Sequence, residues 1–173
     1  MRQKTITLIF LIITLLLATA CGTKAKSLPA DPKPDEISAF IHDSFPIPDE
    51  FKANSKLNWT ATNATGSAGL LTINLVAPDP AKLDTNALVQ GFLDRAKTIN
   101  KEGKVSIDNL DIQLRDSNQA PLMLVSYVKT EQGFDGTAWS AEGITPLQGV
   151  VQDPNLTYPI QPIVPALEPT TYP

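Results

Sequence analysis

DTNALVQGFLDRAKTINK (residues 84–101), with the VSIDNLDIQLR that follows it (residues 105–115), decides the fold. Leu88, Phe92, Ala96 and Ile99 recur at helical spacing, and Val89 and Leu93 widen the stripe. Asp84 or Thr85 suits the N-cap. Arg95, Lys97 and Lys101 gather towards the end where the helix dipole favours positive charge. Gly103 stands where a left-handed C-terminal cap belongs. The next segment alternates as a strand but changes phase. Val105 and Ile107 share one parity, whereas Leu110, Ile112 and Leu114 share the other. A bulge near Asp108–Asn109 would return both sets to one face.

Outward from this unit the pattern continues. Ile37, Phe40, Ile41 and Phe45 form one apolar helical face over Asp35–Phe45, and Pro46 stops it. Leu57, Trp59 and Ala61 alternate with polar residues, and so do Leu71, Ile73, Leu75 and Ala77. With the turn-rich residues 64–69 between them, these predict a β-hairpin closed by Pro78 and Pro80. Downstream, Leu122–Val125 is apolar on both faces, as a central strand would be. Gln132–Gly136 turns the chain, and Thr137–Glu142 reads as a short last strand. The order is helix, hairpin, helix, hairpin. The expected fold is α+β over residues 35–142: a small antiparallel sheet with both helices on one face.

The two ends differ from this domain. Arg2 and Lys4 precede the apolar run Thr5–Leu17, which the small residues Ala18, Thr19 and Ala20 close. That is the order of a secretory signal, and the run is short for a bilayer span, which takes about 20 residues. Cys21 follows at once and is the single cysteine. The segment resembles the lipobox of bacterial lipoproteins, with Ala18 where Leu is usual. The resemblance covers about the first 22 residues. It implies that residues 1–20 are a signal peptide, that Cys21 receives fatty acyl groups including palmitate, and that the mature chain begins there. It also implies a membrane-held, extracytoplasmic protein of the cell envelope. Gly22 in place of Asp points to the outer membrane in a Gram-negative cell. Residues 21–34, with Pro29, Pro32 and Pro34, are expected to be a flexible tether.

At the other end, residues 143–173 hold seven prolines and form an expected Pro-rich tail. Pro159, Pro162 and Pro165 are spaced by three, the period of a polyproline II helix. Ile160 and Ile163 would then share an edge, beside Tyr158, and residues 158–167 are expected to lie against an apolar surface.

Composition narrows the chemistry. Of 14 Lys and Arg, two leave with the signal, so 12 face 18 Asp and Glu, a balance of −6. Such a chain is a poor match for nucleic acid. With Cys21 acylated no thiol remains for disulfide, zinc or redox work. His42 is the single histidine, in His42–Asp43–Ser44, but adjacent helix residues point about 100° apart and cannot form a relay. Asp108, Asp111 and Asp116 lack the spacing of a calcium loop. Glu131, Asp135 and Glu142 are nominees for a carboxylate pair only if they face one another. Three Asn-x-Thr sequons, at Asn58, Asn63 and Asn155, are read as chance. Trp59 is assigned to the core. Phe134 and Trp139 flank a Gly-rich turn and, with Tyr158, Ile160 and Ile163, are the candidate binding residues. The expectation is a non-enzymatic, cofactor-free envelope lipoprotein whose domain binds a protein partner or serves assembly in a surface or secretion complex. A solute-binding lipoprotein and a cell-wall hydrolase are the alternatives.

Overall fold

The computed structural model describes residues 27–156. Helix α1 spans Pro34–Ser44. Pro34 opens it, where the missing N–H costs nothing. The Glu36 carboxylate accepts the Lys33 N–H at 2.8 Å, and Ile37, Phe40 and Ile41 form its buried face. Helix α2 spans Thr85–Glu102. Asp84 Oδ1 accepts the Ala87 N–H at 3.0 Å, and Gly103, at φ +76°, closes the far end in the left-handed region. Its buried stripe is Val89, Phe92, Leu93, Ala96 and Ile99. The two helices meet where the rings of Phe45 and Phe92 stack, 6.4 Å between centroids.

Six strands form one sheet, adjacent in chain order: β1 Lys56–Ala61, β2 Ala68–Val76, β3 Ser106–Arg115, β4 Pro121–Thr130, β5 Gly133–Ser140 and β6 Val151–Gln152. This corrects the expected small antiparallel sheet in helix-hairpin-helix-hairpin order. The sheet is mixed: β2 runs parallel to β3 and β5 parallel to β6, while the other three pairings are antiparallel. The cause lies in α2. Its 18 residues, rising about 1.5 Å each, carry the chain back along the sheet, so β3 must start where β2 started. The second half is a three-stranded meander rather than a hairpin. Strand β5 begins at Gly133, inside the expected turn and four residues before the expected strand, and β6 lies beyond residue 142.

The phase change in β3 is a bulge. Gly69 pairs with Ile107 and Leu70 with Asn109, which leaves Asp108 unpaired. Ile107 and Leu110 are both wholly buried on the helix side in consequence. Asn100 of α2 holds this site from above: its Oδ1 accepts the Ile107 N–H at 2.6 Å and its Nδ2 donates to the Ile107 carbonyl at 2.9 Å. Glycine is required opposite. A Cβ on Gly69 would collide with the Thr60 carbonyl and come within 2.9 Å of the Trp59 ring, which is half-buried against the core.

The core fills one face of the sheet. Leu71 and Ile73 of β2, Leu110, Ile112 and Leu114 of β3, Met123 and Val125 of β4 and Ala138 of β5 meet the apolar stripes of both helices. Two flanking segments join this face. Leu28 is buried in the core, its carbonyl accepting from Lys104 Nζ at 2.6 Å. Leu147 is buried likewise, and the Gln148 N–H donates to Asn86 Oδ1 at 2.9 Å. No helix among the described residues is long and apolar enough to cross a membrane.

Candidate functional site

Successive strand residues point to opposite faces. The register therefore defines a second face one residue out of step with the core. Across it run Asn58, Thr72, Asp111, Ser126, Thr137 and Val151 in one row. Asn74, Gln113, Leu124 and Trp139 form the next row. Both helices lie on the other side, so no described helix covers these side chains.

This open face has two halves. Over β1–β3 it is mainly polar, with Asn58, Thr60, Thr72, Asn74, Asn109, Asp111 and Gln113, although Leu70 and Val76 share that parity. Over β4–β6 it is the more apolar half: Leu124, itself 8% exposed, lies opposite Trp139, with Val151 beside Thr137 and Val128 opposite Asp135, and Ser126, Thr137 and Asp135 interleaved among them. Val128 is 50% exposed and Val151 69%, and these are the exposed large hydrophobics among the described residues. Both fall on the same half of the same face, Val128 level with Asp135 and Val151 with Thr137, and half-buried Trp139 lies further along β5.

Asp111 marks the middle of the polar half. Ser126 Oγ donates to its Oδ1 at 2.6 Å. Desolvation raises its pKa above the ordinary carboxylate value, and the serine hydrogen bond opposes the shift without cancelling it. Gln113, almost fully buried, accepts from Arg115 Nη2 at 3.0 Å through Oε1. These contacts order the surface. They supply no activated nucleophile and no pair of facing carboxylates.

The nominated residues separate accordingly. Phe134 and Trp139 sit five apart on β5 and face opposite ways: Phe134 packs against the core, and Trp139 stands on the open face. Cys21, Tyr158, Ile160 and Ile163 lie outside the described residues. His42 and Asp43 are exposed on α1, whereas Ser44 is buried, so the three do not converge. Glu131 and Asp135 lie near the β4–β5 turn, and Glu142 lies past the far end of β5, about 20 Å away at strand rise. Asp108, Asp111 and Asp116 are strung along β3 and its exit in the same way. Among the described residues no three His, Cys, Asp or Glu side chains are placed to share a metal ion. Asp108 instead closes a polar chain in which Lys129 Nζ donates to Ser106 Oγ and Ser106 Oγ to Asp108 Oδ1, both at 2.7 Å. Beside it lies an open, nearly flat depression of about 550 Å³, lined by Asp108, Asn109 and Val128–Glu131. A second, between Phe51, Ala77–Asp79 and Leu83, measures about 220 Å³. Neither has the enclosure that buries a small ligand.

Sequence reasoning missed the open face as a surface. Its signal was Leu122–Val125, apolar at both parities and read as a central strand, which β4 is, between β3 and β5. Helices cover only one side, so Leu124 is left facing the other. Compared with family models, with curated proteins and with solved structures, the chain finds no match.

Proposed function

We propose that this protein is a lipid-anchored component of a bacterial cell envelope, and that its α+β domain binds another protein without catalysing a reaction. The observation that carries the binding half is the apolar half of the open face. Trp139, Val128 and Val151 share with Leu124 a surface that no described helix packs against, and two of them, Val128 and Val151, are exposed. Tryptophan is among the side chains most enriched at the energetic centres of protein interfaces.

The anchoring half rests on the signal-like run ending at Cys21. Leu28 is seated in the core, so six residues, Gly22–Ser27, separate the acylated cysteine from the domain. At about 3.3 Å each they span roughly 20 Å. The end of the domain carrying Leu28 and Lys104 would then face the lipid, in the outer membrane if the cell is Gram-negative. Two or three acyl chains hold such a domain firmly, at roughly 0.8 kcal/mol per buried CH₂.

Two measurements test the two halves. Cells grown with a labelled fatty acid should label the wild-type protein, and Cys21→Ser should remove the label and leave unprocessed or released chain. Equal label in both would refute the anchor. Capture from detergent-solubilised membranes, read by mass spectrometry, should recover a partner that Trp139→Ala loses at least tenfold and Phe134→Leu retains. A partner kept by Trp139→Ala places the interface elsewhere.

A further inference from the structure

The apolar half of the open face lies beside the point where the described chain ends. Strand β6 runs parallel to β5, and the Asp153 N–H donates to the Ala138 carbonyl at 2.8 Å. A turn follows in which the Leu156 N–H donates to the Asp153 carbonyl at 3.2 Å. Leu156 is therefore held within one turn of the strand position next to Trp139. Seventeen residues of sequence follow it, among them Tyr158, Pro159, Ile160, Pro162, Ile163, Val164, Pro165 and Leu167.

We propose that residues 158–167 of this same chain occupy the apolar half of the open face, with their prolines and isoleucines against Trp139 and Leu124. Three arguments converge. The first is reach. From β6 to β4 is two strand spacings, about 10 Å, and ten residues of polyproline II cover about 31 Å. The second is chemistry. A proline every third residue puts flat pyrrolidine rings along one edge, and such ridges dock on exposed aromatic side chains, a recognition mode that spends little entropy because the segment is already extended. The third is demand. Val128 and Val151, the two large hydrophobics left exposed among the described residues, stand on the strands either side of β5, Val151 beside Thr137 on the edge from which the tail departs and Val128 opposite Asp135. The proposal rests on the reading of this face as the partner-binding surface, since tail and partner would meet the same Trp139 side chain.

The test uses the full chain in detergent micelles, labelled at isoleucine δ1 methyls and at tryptophan. Nuclear Overhauser contacts between the Ile160 or Ile163 methyl and the Trp139 indole are expected. Trp139→Ala should abolish them and sharpen the two tail methyls, while the Ile73 and Ile112 methyls keep their shifts and so report an intact fold. In Ile160→Asp/Ile163→Asp, Trp139 should become several-fold more accessible to acrylamide, measured in a Trp59→Phe background. Sharp, random-coil Ile160 and Ile163 methyls in the wild type would overturn the proposal. So would contacts found only between differently labelled chains in a mixed sample, which would assign the patch to a second copy. Partner capture is read independently: a tail that does not dock leaves the Trp139-dependent partner in place, and a missing partner leaves the tail contacts in place.

Discussion

The two faces of the sheet are built from the same strands, one residue out of step. On the helix side Leu71, Ile73, Ile112, Leu114, Met123 and Val125 are wholly buried. On the other side their immediate neighbours are Thr72, Asn74, Asp111, Gln113, Leu124 and Ser126, most of them half-exposed and polar. The covered face concentrates the area removed from water, at roughly 25 cal/mol per Å², and so concentrates stability. The open face contributes little burial and keeps side chains available for contact. A protein that binds through a sheet needs this division, because the surface can then change with small cost to the fold.

The division is broken most strongly by emptying one position on each face. Ile112→Ala should cost about 2–5 kcal/mol, since a wholly buried isoleucine leaves a cavity that a helix-covered core cannot fill. Leu124→Ala, on the neighbouring strand, should cost less, because Leu124, though 8% exposed, is covered only by flanking side chains and no described helix lies over it. Urea denaturation followed by far-UV circular dichroism checks both. Equal losses would mean that the open face is packed as tightly as the core.

A smaller effect is expected where the faces are kept in phase. Asn100 satisfies both backbone groups of Ile107, the residue before the bulge that sets the parity of Leu110–Leu114. Asn100→Ala leaves a buried N–H and carbonyl without partners, a loss of about 1–3 kcal/mol. Hydrogen exchange at Ile107 should quicken well beyond that at Ile73, which lies outside the bulge. Unchanged protection at Ile107 would show that the bulge holds without the clamp.

How far these features were readable depends on the kind of physics that sets them. Both helices were legible to within a residue of their ends, because Asp84, Gly103 and Pro46 act within one turn of chain, whereas Pro34, read as part of the tether, opens α1. The bulge was legible as a change of parity between Ile107 and Leu110. Strand direction was not read correctly. It depends on where α2 returns the chain, which is a property of the crossover and not of any strand's own pattern. Strand β6, two residues long, carries no periodicity at all. Of the nominated binding residues in the described domain, Trp139 stands on the open face and Phe134 does not. Their odd spacing of five contained that separation, but it counts only once both are placed on one strand.

The smallest expected effect sharpens the comparison by charge. Asp111 is the carboxylate set into the open face, and partial burial raises its pKa above the unfolded value of 3.8. Between those two values the folded chain holds a proton that the unfolded chain has lost. By linkage the contribution of Asp111 is most favourable below pH 3.8 and is lost as pH rises through the raised folded value. At neutral pH the ionised group sits partly desolvated, with Ser126 Oγ as its side-chain donor and no ion pair of its own among the described residues. Asp111→Asn keeps the acceptor for Ser126 and removes the charge. The variant should therefore unfold at a higher urea concentration than wild type at pH 7, by less than about 1 kcal/mol because solvent still screens the group. The advantage should shrink steadily as the pH is lowered and be gone near pH 3, where the wild-type group is protonated in both states. A neutral-pH gain that persists unchanged at pH 3 would assign the effect to packing of the amide. A loss at pH 7 would mean that the ionised carboxylate is favourable to the fold, and that the polar half of the face holds it as a charge.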